Sequence, residues 1–218
     1  MTTVESRSSL QLGERAPDFT LPAVGQEGTV SLSDYRNKSP LLLALFTGLW
    51  CPFCRRTIAQ LGNLREKLQA AGIETLGIVA TKPEHASLYF RFHPTRLPLA
   101  ADPELTTHRS YGLPKPPVTP ELMQAMQSVR INPSGELPEA LPIPEAAQAL
   151  DRLDNFERSA TDQQDSQQQL TQFKGQFLLD RDSIVRWVNI ECGKEGLEGL
   201  GKFPSYEDFM AAAQTLSA

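Results

Sequence analysis

The chain has 218 residues, 40% of them hydrophobic and 22% charged, with three cysteines and a formal charge of −5. This fits one globular domain, or a core domain carrying an insertion, with an apolar interior that needs no disulfide scaffold. It also excludes a basic footprint for nucleic acid, so small molecules or proteins are the expected ligands.

The opening residues, MTTVESRSSLQLGERAPDF, lack the apolar centre of a secretory leader, and a cytoplasmic location is expected. Residues 13 to 36 alternate short apolar pieces with Pro and Gly, as an edge hairpin does. The run PLLLALFTG, 40 to 48, is continuous and apolar and stops at glycine, the pattern of a central strand buried on both faces. It is far shorter than the roughly 20 residues that span a bilayer, so no membrane association is expected.

Ile58, Leu61, Leu64, Leu68 and Ala71 then recur at helical spacing up to Gly72, and IETLGIVA, 73 to 80, reads as a second strand. Residues 40 to 80 thus predict a β-α-β unit with a parallel crossover. A helix near 84 to 92, a strand at LPLAAD and a helix near 103 to 111 continue the alternation. Between 113 and 144 stand eight prolines, leaving room only for a short helix at ELMQAMQSVR. Ala146, Ala149, Leu150, Leu153, Phe156 and Ala160 predict one helical stripe, followed by the polar TDQQDSQQQ. Residues 113 to 172 are read as an insertion in a single domain; a disordered Gln-rich linker is the alternative. GQFLLD and IVRWVNI then predict an antiparallel hairpin, and 205 to 216 a closing helix.

The chemistry concentrates in Trp50-Cys51-Pro52-Phe53-Cys54, at the end of the central strand and the start of the first long helix. Residues three apart in a first helical turn have Cα atoms about 5 to 6 Å apart, within reach of a reversible disulfide. Cys51, at the helix N-terminus, is the expected thiolate nucleophile, with Pro52 setting the helix start and Arg55 and Arg56 adding positive charge. Cys54 is placed to attack a mixed disulfide or sulfenic acid on Cys51. Half a zinc site and an inert structural pair are the competing interpretations. Zinc requires four ligands, and only Cys192 and the scattered His85, His93 and His108 remain, so no metal or cofactor is expected. Cys192 has no local partner and reads as a small strand-end residue or a third redox thiol. The histidines read as surface or helix residues.

GERAPDFTLPAVGQEGTVSLSDYRNKSPLLLALFTGLWCPFCRRTIAQL resembles the amino-terminal half of the alkyl hydroperoxide reductase and thiol-specific antioxidant proteins, the peroxiredoxin-like branch of the thioredoxin superfamily. LPLAADPELTTHRSYGL and GQFLLDRDSIVRW resemble its later segments. The resemblance implies an α/β thioredoxin-like fold: a central mixed sheet flanked by helices, with a helical insertion before the last hairpin. It matches Cys51 to the peroxidatic cysteine. In the family's P-x-x-x-T-x-x-C, Ala44 stands for the proline and Gly48 for the threonine, with Thr47 one residue earlier. Lys174, before Gly175, stands for the catalytic arginine, keeping the charge but not the rigid fork. C-x-x-C within this frame resembles an atypical subgroup with the resolving cysteine beside the first. Thus Cys51, Cys54 and Lys174 are the expected catalytic residues, supported by Thr47, Gly48, Trp50, Pro52 and Arg55. The substrate is a hydroperoxide, with thioredoxin or glutathione as reductant and a homodimer implied. Alternatives are a dithiol-disulfide oxidoreductase acting on protein disulfides, with the insertion as lid or docking surface, and a redox-sensing binding protein.

Overall fold

Thr20–Pro22 (β1) and Thr29–Ser31 (β2) pair antiparallel in the computed structural model, which describes residues 8 to 216. Residues 1 to 7, the first part of the stretch read above for a leader, lie outside the described residues. Gly25 and Gly28 turn this hairpin with φ of 80° and 96°, which L side chains resist. Ala23 bridges to Ala100, fastening the hairpin to the main sheet.

The sheet and its helices follow as Leu41–Phe46 (β3), Pro52–Ala70 (α1), Glu74–Val79 (β4), Pro83–Phe92 (α2), Leu99–Ala101 (β5) and Thr106–Ser110 (α3). All six residues of β3 are buried, because the strand is central and covered on both faces. Leu42, Ala44 and Phe46 join Ile58, Leu61 and Leu68 of α1 in one core, whereas Leu41, Leu43 and Leu45 face the other. Each buried leucine contributes about 1.5 to 3 kcal/mol relative to an exposed one. Helix α1 ends in a Schellman motif: Ile73 N–H donates to the Leu68 carbonyl and Gly72 N–H to that of Gln69, with Gly72 at φ 77°.

Between α3 and the last hairpin lie Pro120–Ser128 (α4), Arg130–Ile131 (β6), Leu141–Pro142 (β7), Ile143–Leu153 (α5) and Ala160–Gln169 (α6). The apolar stripe expected to run from Ala146 to Ala160 is shorter than predicted. Helix α5 stops at Leu153, and Asn155 takes a φ of 49°, so Phe156 lies beyond its end and Ala160 opens α6. The polar stretch 161 to 169 is helical, started by a capping box in which Ser159 and Asp162 exchange hydrogen bonds.

Gly175–Leu179 (β8) and Val185–Ile190 (β9) form the predicted antiparallel hairpin, and Tyr206–Gln214 (α7) closes the described chain. The five-stranded sheet runs β5-β4-β3-β8-β9, with β3, β4 and β5 parallel and β8 antiparallel to β3. It is a central mixed sheet flanked by helices. No described helix is long and apolar enough to cross a membrane.

Candidate active site

Cys51 is the N-cap of α1, with extended backbone, and Pro52 follows at the first helical position, where a missing N–H costs nothing. The Cys54 N–H donates to Cys51 Sγ at 3.4 Å, so the sulfur caps one of the helix's orphan donors. Behind it, Cys54 is fully buried, with Sγ 3.2 Å from the Thr47 hydroxyl. Both thiols are free.

The two sulfurs differ sharply in acidity. Cys51 is lowered from its ordinary 9.0 to about 6. The hydrogen bond with the Cys54 thiol is the largest cause; burial opposes it, and the Lys174 ammonium, the Cys54 amide and the Thr47 hydroxyl add to the lowering. Cys54 is pushed well above 9.0, first by burial and then by its hydrogen bond with Cys51 and the charge there. The arrangement therefore favours the anion on Cys51 and the proton on Cys54.

The strand-to-helix connection that carries Cys51 is held from afar. Gln169, at the end of α6 and 3% exposed, accepts from Gly48 N–H at 2.7 Å and from Trp50 Nε1–H at 3.0 Å. Its own amide donates to the Ala80 carbonyl at 2.6 Å, beyond β4. A Cβ on Gly48 would lie 2.6 Å from Trp50 Cδ1 and 2.9 Å from Gln169 Oε1, closer than real Cβ contacts come. The folded-back indole and the Gln169 amide therefore fill the space a side chain at 48 requires. Gly48→Thr is expected to destabilise the protein by about 1 to 3 kcal/mol through this overpacking, read as a lower denaturation midpoint. A stability unchanged within error would show that Trp50 and Gln169 move aside freely.

Cys51 lines a cleft of about 350 Å³, whereas Cys54 does not. One wall is apolar, from Leu122, Met123 and Met126 of α4 and Ile143, Pro144 and Ala147 of α5. Lys174 and Glu191 line the same cleft, with Nζ and Oε1 2.8 Å apart and both side chains nearly buried. Trp50 and Arg158 also line it; no histidine does. A larger groove of about 590 Å³, beyond Phe53 and Gly201, contains no cysteine.

Arg55 and Arg56 point elsewhere than the sequence alone suggests. The Arg55 guanidinium bonds the Leu49 carbonyl at 2.8 Å, Asp151 at 2.7 Å and Asp154 at 2.8 Å, and lies 3.9 Å from the centre of the Phe156 ring. Arg56 pairs with Glu136 and Asp154. Their charges are taken up by carboxylates of the 113 to 172 segment, so the local positive charge at the thiols comes from Lys174. Cys192 follows β9 and is absent from the cleft; burial, then the Glu191 charge, push its thiol up to about 12. His108 is a buried helix residue whose Nε2 is 3.0 Å from the Phe46 carbonyl oxygen, and burial lowers it to about 4, so it stays neutral.

The AhpC/TSA family model matches residues 12 to 188, more than half of the chain. The chain belongs to the AhpC/TSA family. Two Mycobacterium tuberculosis proteins that carry the name peroxiredoxin, from strains H37Rv and CDC 1551, are each 29% identical to this family member over 103 residues. That alignment covers 46% of this chain and 64% of theirs, so the chain spans less than two thirds of the length of these relatives. Among solved structures, the peroxidoxin BcpB of Mycobacterium tuberculosis superposes with a TM-score of 0.57 at 14% identity, covering 95% of this chain and 97% of that one. The reduced 2-Cys peroxiredoxin of Plasmodium vivax gives 0.59 at 14% identity, covering 93% and 80%. These likenesses establish a thioredoxin-like, peroxiredoxin-type fold.

Proposed function

We propose that this AhpC/TSA protein is a thiol peroxidase that uses Cys51 and Cys54 as one redox pair. The observation that carries the proposal is the asymmetry of the two sulfurs: an acidic thiol, 4% exposed, lines the cleft, and a protonated one stands behind it. The Cys51 thiolate attacks the terminal oxygen of a hydroperoxide; the S–O bond forms as the O–O bond breaks, and the leaving alkoxide or hydroxide takes up a proton. Cys54, as it loses its proton, attacks the Cys51 sulfenic acid; the disulfide forms and water leaves. An external thiol of thioredoxin or glutathione type restores the pair, a role that suits the cytoplasm. Lys174 supplies the positive charge that favours the thiolate.

The apolar wall from α4 and α5 supports an organic hydroperoxide as the better substrate, and gives the 113 to 172 segment the role of substrate wall. Exchange with a protein disulfide is the competing function. The apolar lining beside Cys51, a residue only 4% exposed, supports the small substrate over it. Peroxide consumption and insulin reduction, measured side by side across pH, test this choice. Consumption is expected to be half-maximal near the pH of Cys51 ionisation, about 6, to be flat above neutrality, and to fall about tenfold per unit only well below that half-point. The sign follows from the lowered pKa: the anion is lost only as pH drops through the folded value. Insulin reduction without peroxide turnover would overturn the proposal.

A further inference from the structure

Lys174 does not act alone. Its ammonium bonds Glu191 Oε1 at 2.8 Å, its own N–H donates to Glu191 Oε2 at 3.2 Å, and its carbonyl accepts from the Glu191 N–H at 3.0 Å. Gly201 N–H donates to Glu191 Oε1 at 2.8 Å, fixing the carboxylate from a third side. The two side chains are 9% and 5% exposed and share the cleft with Cys51. We propose that Glu191 is a positioning residue: it holds the Lys174 ammonium beside Cys51 and, by sharing that charge, sets how readily the Cys51 thiol ionises. This rests on the reading of Cys51 as the reactive thiol.

Two effects are combined in that contact. Burial alone favours a neutral lysine, and the Glu191 carboxylate keeps Lys174 protonated even when Cys51 carries no charge, as a sulfenic acid or disulfide. The same carboxylate also draws the ammonium toward itself, 2.8 Å away, so that Cys51 shares the cation rather than holding it as its own counter-ion. With Glu191 made neutral, the Cys51 thiolate becomes the counter-ion of Lys174 and its ionised form is favoured. Away from Cys51, Glu191 also borders a groove lined by Lys194, Asp208 and the Lys202–Glu195 ion pair. Cys54 lies behind Cys51, Arg158 is paired with Asp151 at 2.9 Å, and Cys192 beside Glu191 keeps its proton. The Phe203 ring, 5.1 Å from Lys174 Nζ, completes the enclosure.

The test is the pH dependence of Cys51 alkylation by iodoacetamide in the full-length reduced protein, with the site of alkylation read by mass spectrometry and no peroxide present. Glu191→Gln is expected to move half-reaction to a lower pH by on the order of one unit, roughly tenfold more thiolate on the acid side. Lys174→Gln moves it upward, and Glu191→Gln added to Lys174→Gln has no further effect, because Glu191 acts through Lys174. Glu191→Asp, whose shorter carboxylate holds Lys174 less closely, shifts it in the same downward direction by less, and decides the matter if the glutamine variant does not fold. An unchanged or higher half-point in Glu191→Gln, or an equal shift in the Lys174→Gln background, overturns the proposal. Failure of the peroxidase reading shows itself separately, as a wild type that consumes no peroxide while the alkylation shift persists.

Discussion

If the proposed peroxidase function holds, Cys51→Ser is expected to lose peroxide turnover by about a thousandfold or more, while Cys54→Ser is expected to retain a single round. The first effect follows because the hydroxyl of serine stays protonated in a site built to ionise a thiol; removing a nucleophile in comparable enzymes costs at least this much. The second follows from position. Cys54 is fully buried and lines no part of the cleft, so its loss leaves the first step to the hydroperoxide intact but removes the internal thiol that clears the sulfenic acid. Mass spectrometry after one equivalent of hydroperoxide is expected to find one added oxygen on Cys51 in Cys54→Ser, and the loss of two hydrogens in the wild type. Turnover that survives in Cys51→Ser, or an added oxygen on Cys54 instead, would refute the assignment. Because the Cys54 side-chain hydrogen bond also contributes the largest share of Cys51's acidity, Cys54→Ala, which has no donor, is expected to react at a higher pH than the wild type.

Arg55→Ala is expected to unfold about 3 kcal/mol more easily than the wild type, a drop of roughly 6 to 12 °C in Tm for a chain of this size. The guanidinium side chain is 4% exposed and joins four groups: a carbonyl of the Cys51-bearing connection, two carboxylates at the end of α5, and the Phe156 ring. Alanine leaves Asp151 with only Arg158 and the Leu49 carbonyl without its donor. The expected cost sits at the low end for a buried pair because Asp154 remains 30% exposed and is also held by Arg56. Lysine does not restore the loss, since one ammonium cannot reach three acceptors and stack on a ring as the planar fork does. Urea unfolding followed by circular dichroism measures both variants. A cost below about 1 kcal/mol, or full recovery in Arg55→Lys, would contradict this account.

The parts of the fold legible in the sequence are those governed by local rules. The apolar run of β3, the stripe of α1 ending at Gly72 and the hairpin of β8 and β9 each announce themselves within ten to twenty residues. The dithiol and its helix start were legible for the same reason. Partnerships between distant residues were not. Arg55 reads as a charge beside a cysteine, yet its partners are Asp151 and Asp154, about a hundred positions later. Gln169 is the last glutamine of a polar run and looks like any surface residue, although it alone ties Gly48, Trp50 and Ala80 together. Glu191 gives no sign of its pairing until β8 and β9 set it opposite Lys174. Two local signals did exist. Ser159-Ala160-Thr161-Asp162 is a capping sequence that marks the start of α6, and Asn155, a residue that tolerates left-handed backbone, marks the end of the preceding helix region.

The strand order has a consequence for the time at which the protein acquires its chemistry. β3, which delivers Cys51, is completed in the sheet only by β8, and the ammonium that acidifies the thiol stands 123 positions beyond it in the chain. At a synthesis rate of about 5 to 20 residues per second, roughly 6 to 25 seconds pass between the two leaving the ribosome's decoding centre. Until then the Lys174 contribution to the acidity of Cys51 is missing, and a thiol outside the folded site is mostly protonated at neutral pH. On the proposed reading of Cys51 as the reactive thiol, its full acidity comes only with the finished fold.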